Sequence, residues 1–287
     1  MTPVIRDVAQ TVTPQFVIEG AGVRLKRSIA TATLDYVDPF LLFDHFGSPN
    51  PRDYLAGFPM HPHRGIETVT YMLAGEVTHR DSLGNSGTIG AGDVQWMTSG
   101  RGIMHEEMPK PVQGVMGGFQ LWVNLPAKLK MGAPRYQEIR SPLVPEVRRN
   151  DGSVIRVIAG QVDGVHGPVT EIAADPEYLD VTVAAHAVFE QAVQRGHTAL
   201  AYVFEGGGVF GGSDAKAGEM VGATRMVILG DGDVVRVQTD NTPVRFLLIS
   251  GKPLGEPIAR YGPFVMNTRE EINQALRDLQ NGTFVTP

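Results

Sequence analysis

Tyr71-Met72-Leu73-Ala74-Gly75 returns further along the chain as Tyr202-Val203-Phe204-Glu205-Gly206, Tyr202 standing at an offset of 131 from Tyr71. Each is a short apolar run stopped by glycine, the pattern of a strand entering a tight turn. A second pair, Gly90-Ala-Gly-Asp-Val94 and Gly230-Asp-Gly-Asp-Val234, repeats at an offset of 140. Two related segments at nearly one spacing predict two copies of a single β-domain in tandem. The extra residues of the second copy fall in the Gly-rich stretch 206–224, and the Pro-rich stretch 126–145 reads as the crossover. The expected units are residues 1–140 and 141–287.

Outward from the repeat, short runs rich in β-branched and aromatic residues dominate. They include Glu67–Met72, Asp93–Met97, Phe119–Asn124, Ser153–Ile158, Ala199–Phe204, Met226–Leu229 and Arg245–Ile249. The chain holds 34 glycines and 20 prolines, a usage that suits many strands and turns rather than a helical bundle. The predicted class is all-β, two antiparallel barrels of the jelly-roll kind. One helix is expected, over Thr268–Gln280. Thr268-Arg-Glu-Glu271 has the form of a capping box, and Ile272, Ala275, Leu276 and Leu279 recur on one face. Gly282 follows as its stop.

Composition narrows the chemistry. A net charge of −6 supplies no overall basic surface for phosphate backbones, so direct nucleic-acid binding is not expected. There is no cysteine, which removes disulfides, thiolate metal sites and a Cys nucleophile. A transition metal must therefore sit on His, Asp or Glu. Residues 1–14 lack a basic stretch followed by an apolar one, and no apolar run reaches the ~18 residues of a membrane span. The cytoplasm is the expected compartment.

The chemistry concentrates in Gly57-Phe-Pro-Met-His61-Pro-His63-Arg-Gly-Ile-Glu67 and Ser99-Gly-Arg-Gly-Ile-Met-His105-Glu106-Glu107. Side chains at i and i+2 of a strand share a face, so His61 pairs with His63 and His105 with Glu107. Pro62 cannot donate to a ladder, which puts the first pair at a strand end or sheet edge. Two such pairs facing each other give three imidazoles and a carboxylate, a set for a borderline divalent ion with positions left open. Glu67 is a rival ligand, because it follows His-x-His at a spacing that other metal sites of this kind use; its other role is to orient a ligand imidazole or pair with Arg64. Trp96 and Arg101 lie near in sequence and read as structural. His45, His79, His166, His186 and His197 read as hydrogen-bonding or surface residues.

At these motifs the sequence resembles the pirin family. His61-Pro-His-Arg-Gly-Ile-Glu-Thr-Val-Thr-Tyr71 is similar to the family's first metal motif and Gly92–Pro109 to its second. Phe40–Phe46, Gln120–Pro126 and Glu256–Ile272 resemble its connecting and C-terminal segments. The resemblance implies a bicupin with one mononuclear metal in the N-terminal barrel, held by His61, His63, His105 and Glu107, with Glu67 behind them. It implies one divalent transition ion per chain, iron(II) first, with Mn, Co, Ni, Cu or Zn as alternatives. It also implies a quercetin 2,3-dioxygenase-like oxidoreductase that opens a flavonol ring with O2 and releases CO, with Glu107 as the proton acceptor. The alternative it carries is a non-enzymatic, metal-dependent regulatory protein with a protein partner. A monomer is expected.

The repeat adds an expectation about the second copy. Offsets of 131 and 140 carry His61, His63, His105 and Glu107 onto Ala192, Gln194, Arg245 and Leu247. None of these holds a transition ion. The C-terminal unit is thus expected to lack metal ligands.

Overall fold

Ile66–Ala74 and Met116–Asn124 are nine-residue strands, buried on both faces over most of their length. Their β-branched and aromatic side chains suit the middle of a sheet, and that is where they lie. The computed structural model of the protein describes residues 2–110, 114–212 and 216–285. Seven strands run in the order Arg135–Ile139, Val94–Thr98, Ile66–Ala74, Met116–Asn124, Phe40–Ser48, Val23–Ile29 and Gln15–Glu19, all antiparallel. A four-stranded antiparallel sheet, Phe58–His63, Ile103–Pro109, Val77–Asp81 and Ser86–Ile89, faces it. Residues of both sheets line one cavity, and Met72 and Met116 of the larger sheet pack against Val77 and Ile89 of the smaller.

These two sheets and the C-terminal tail make up one compact unit, residues 15–141 and 254–287; the other comprises residues 2–14 and 142–253. The division differs from the expected 1–140 and 141–287 at both chain ends. The strand Val8–Val12 extends a sheet of the second unit by pairing with Arg225–Leu229. The tail folds with the first unit because its apolar side chains are covered there: Phe264, Met266, Ile272, Ala275 and Phe284 form a cluster that Met104 joins. The helix Arg269–Gln280 begins at the predicted cap. Thr268 Oγ1 accepts from the Glu271 amide at 3.2 Å, and Glu271 Oε2 accepts from the Thr268 amide at 2.9 Å. Leu279 is 38% exposed, so the buried stripe is shorter than the sequence period suggests.

The second unit repeats the strand order of the first. Its main sheet runs Val8–Val12, Arg225–Leu229, Thr198–Phe210, Val244–Gly251, Glu177–Val183, Val154–Ala159 and Glu146–Arg148. Tyr71 lies opposite Val94 and Phe119, and Tyr202 lies opposite Met226 and Leu247. Arg225–Leu229 is therefore the counterpart of Val94–Thr98. The offset of 131 holds, but Gly230–Val234 follows that strand, whereas Gly90–Val94 precedes its own.

The two Gly-x-Gly-Asp segments are thus not equivalent, and their side chains show why they look alike. Asp93 closes a local turn, its carboxylate accepting from the Gly90 amide at 2.9 Å, and it also takes the distant Ser141 amide at 2.7 Å and Arg140 Nη1 at 3.0 Å. Asp233 instead accepts from the Val4 amide and holds Arg195, residues far away in the chain. A short polar signature reports a tight connection, not its place in the topology.

Sheet register corrects the mapping of the metal motifs. His79 lies opposite Glu107, and its counterpart Phe210 lies opposite Val237. Following the pairings, His61, His63, His105 and Glu107 correspond to Gln191, Val193, Val235 and Val237, not to Ala192, Gln194, Arg245 and Leu247. The three valines belong to the unit's apolar core, and Gln191 accepts from Arg149 Nη2 at 2.8 Å.

Candidate metal centre

Phe58–His63 is the edge strand of the four-stranded sheet, which is where a strand with Pro59 and Pro62 is tolerated. The chain then turns at Gly65, which has a φ of +82° and lies against the Val265 carbonyl, where a Cβ would collide. Only glycine fits there. Across the ladder His61 lies opposite His105, and His63 opposite Ile103. The i, i+2 spacing therefore does what the sequence predicts. His61, His63 and His105 project to one side, and one donor atom from each lies within 4.8 Å of the other two.

The three imidazoles are prepared as lone-pair donors. His61 Nδ1 lies 2.9 Å from the Pro59 carbonyl, an acceptor only, so Nδ1 carries the proton and Nε2 is left bare. That Nε2 stands 3.0 Å from Nε2 of His63. His105 is 2% exposed, and neither of its ring nitrogens has a hydrogen-bond partner. The Pro263 carbonyl approaches the His63 ring, but His63 Nδ1 completes no hydrogen bond. Burial, reinforced by the neighbouring imidazoles, pushes the pKa of His63 and of His105 well below the ordinary histidine value. Buried neutral rings converging without partners carry an unmet cost that a shared cation removes. The donor set fits a borderline divalent transition ion.

Glu107 follows two residues after His105, beyond a break in register between them. It is 9% exposed and lines the same cavity as His61 and His63. Thr70 Oγ1 donates to its Oε1 at 2.9 Å, and Gln120 lies 2.7 Å behind Thr70. Gln120 Oε1 and Glu107 Oε1 both face the single Thr70 hydroxyl proton, and turning the Gln120 amide so that its NH2 meets Thr70 lets Gln120 donate to Thr70 and Thr70 to Glu107.

Glu67 is placed differently. Thr70 faces the cavity, and a residue three positions earlier on the same strand faces the other way. There Glu67 accepts from Trp96 Nε1 at 3.2 Å and Thr98 Oγ1 at 2.9 Å. Arg64 pairs with Asp278 at 2.6 Å instead. Trp96 is buried against Glu67, and the Arg101 amide donates to the Gly132 carbonyl; neither residue lines the cavity. His79 is held by Tyr136 Oη at 2.6 Å and Glu138 Oε2 at 2.9 Å.

His61, His63 and Glu107 open onto a cavity of about 610 Å³. Leu25, Leu42, Phe46, Val77, Met116 and Trp122 supply apolar wall, and Trp122 meets the His63 ring edge-on at 5.1 Å between centroids. The size and the mix of apolar wall with few polar groups are those of a small-molecule site. Thr70, Gln120 and Trp122 were not singled out from sequence, although the alternation Gln120, Trp122 places both on one face. Arg260, Gly262 and Pro263 also line the cavity, brought there by the tail. No local signal marks them.

Comparison with known proteins places these features. Residues 22–123 match the Pirin family model, and residues 178–285 match the Pirin C-terminal cupin domain. A pirin-like protein of Caulobacter vibrioides is 47% identical over 98% of this chain and 99% of its own. The crystal structure of a quercetin 2,3-dioxygenase from Acinetobacter baumannii superposes with a TM-score of 0.87 at 34% identity, covering 99% of both chains. A bacterial pirin from Escherichia coli, solved in complex with nickel(II), shares the fold at a TM-score of 0.67 and 18% identity, over 85% of this chain and 99% of that one.

Proposed function

The chain belongs to the pirin family and is built of two cupin domains, and from that premise we propose that it is a metal-dependent dioxygenase acting on quercetin or a related flavonol. The observation that carries the proposal is the cavity of about 610 Å³ lined by His61, His63 and Glu107, beside the cluster that these two histidines form with His105. A regulatory protein reading its metal state through a surface needs no such chamber. The likeness to a quercetin 2,3-dioxygenase supports the same reading.

In this proposal His61, His63, His105 and Glu107 hold one divalent ion, iron(II) by preference, because a carboxylate beside imidazoles favours a harder ion than imidazoles alone. The ion, when bound, supplies Lewis acidity and access to O2 chemistry. The residues do the rest. Glu107 Oε takes the proton of the flavonol hydroxyl, leaving the electron-rich flavonolate that reacts with O2. Thr70, donating to Oε1, fixes the carboxylate so that its other oxygen points to the proton. Leu42, Phe46 and Trp122 receive the flat rings and exclude water from the flavonolate. Overall, flavonol and O2 give the ring-opened ester and CO, which accounts for every atom.

The test is aerobic turnover of quercetin by metal-free protein and by protein reloaded with Fe, Mn, Co, Ni or Cu. The expected result is loss of the flavonol absorbance with CO release in a loaded form and none in the metal-free form. Absence of both O2 uptake and CO release with every metal sinks the proposal.

A further inference from the structure

Two arginines line the cavity, and they are in different states. Arg27 makes two hydrogen bonds to Asp44, at 2.8 and 2.7 Å, and a third to Glu19 at 2.6 Å. Its charge is fully matched. Arg260 has no carboxylate partner among the described residues. Its Nη1 donates to the Leu41 carbonyl at 3.1 Å, and its guanidinium lies over the Trp122 ring at 5.2 Å. Burial pulls its pKa below the ordinary arginine value, against the more distant pull of Asp35, Asp44 and Glu19. A half-buried cation facing a chamber with donors to spare is a binding group short of its anion.

The placement is specific. Arg260 lies on the short strand Ala259–Tyr261 of the tail, which Phe264–Met266 pairs with. The Trp122 indole neighbours both the guanidinium and the His63 imidazole. The guanidinium Cζ is 5.2 Å from the indole, and the indole is 5.1 Å from the His63 ring, so these two steps together bound the reach from cation to imidazole. One fused aromatic ring system with a substituent spans that distance.

We propose that Arg260 is the anion-binding residue of the cavity, taking an acidic substituent of an aromatic ligand whose other end reaches His61 and His63. The Trp122 ring and the Leu41 carbonyl hold the guanidinium in place, so little side-chain freedom is lost when the anion arrives. The inference deepens the dioxygenase reading by adding a preference for acidic aromatic substrates. It rests on that reading only for the histidine end of the ligand.

The test uses 3-hydroxyflavones carrying a carboxylate at the 4′ or the 7 position, each against its own methyl ester. Binding is read by quenching of tryptophan fluorescence, in metal-free and metal-loaded protein. The expected result is an acid-over-ester preference of about tenfold for at least one position, present in both forms. Arg260→Met abolishes the preference while leaving ester affinity within about threefold. Arg260→Gln, which keeps a donor for the Leu41 carbonyl but no charge, gives the same loss and serves if the Met variant does not fold. No acid preference in the natural protein overturns the proposal. So does equal weakening of acid and ester, which marks a purely packing role through Trp122. Preference without turnover leaves this inference standing and removes the dioxygenase.

Discussion

At the residue scale, two carboxylates close together in sequence are set apart by which face of a strand they occupy. Glu107 shares the cavity with His61 and His63, and Glu67 points away toward Trp96 and Thr98. Glu107→Ala removes the anionic donor. Its affinity for Fe²⁺ or Mn²⁺ should fall most and for Cu²⁺ least, and quercetin turnover should stay lost with metal in excess. Metal titration of the variant checks this. Glu67→Ala leaves Trp96 Nε1 without an acceptor in the core. It should cost about 1–3 kcal/mol of stability and leave metal content near that of the natural protein. If it empties the site instead, the ligand assignment is wrong at Glu107. Thr70→Val keeps the shape and removes the donor that aims Glu107. A loss of about 10–100-fold in metal affinity or turnover is expected, partly recovered with excess metal.

At the element scale, the tail is fastened to the unit of the three histidines by its own polar contacts. Lys130 is 1% exposed and donates to the Gly65 carbonyl at 2.9 Å, Asn124 Oδ1 at 2.6 Å and the Val265 carbonyl at 3.0 Å. Burial lowers its pKa to about 8. It thereby ties the turn after His63 to the strand that carries Phe264 and Val265. Lys130→Met takes the buried donor from Asn124 Oδ1 and the Val265 carbonyl, while the Gly65 carbonyl keeps the Leu125 amide at 3.4 Å. Denaturant unfolding should show a loss of about 3–5 kcal/mol, well above that of an ordinary surface change. Thr268→Ala removes the helix cap and should cost about 1 kcal/mol. A stability unchanged in both variants would mean that the tail does not fold cooperatively with the unit it covers.

At the scale of the whole molecule, one strand order serves two purposes. In the unit that carries the three histidines the sheets line a cavity. In the other, Val193, Val235 and Val237 stand where ligands would be, inside an apolar core with Phe189, Phe210 and Phe246. Metal analysis should give one tightly bound ion per chain, and two would contradict the register. The second unit also carries a pH-sensitive carboxyl. Burial raises Glu177 from 4.5 to about 7, although Ser250 Oγ donates to it at 3.0 Å. Between those values the folded state holds a proton that the unfolded state has lost. The stabilising protonation is fully present below pH 4.5 and is lost as pH rises through 7. Glu177→Gln should therefore gain stability relative to the natural protein at pH 8 compared with pH 4.5, read as the difference in Tm between the two at each pH. No change with pH would show that Glu177 is not buried as described.

Much of this was legible in the sequence because it is local. A strand alternates faces whatever surrounds it, so His61 could be paired with His63 from spacing alone. The Thr268 capping box needs only four consecutive residues, and the glycine-stopped runs mark strands for the same reason. What stayed hidden depends on register and on contacts between distant segments. Two Gly-x-Gly-Asp turns look the same until the strands around them are paired, and then Ala192 and Arg245 give way to Gln191 and Val235. Glu67 and Glu107 look alike as candidates until the sheet puts Glu107 on the cavity and turns Glu67 toward Trp96 and Thr98. Arg260 reaches the cavity only because the tail folds back on the first unit, where burial of Phe264, Ile272 and Phe284 holds it. No pattern close to Arg260 encodes that, because part of the apolar surface that drives it, at Met104, belongs to a strand in the first half of the chain.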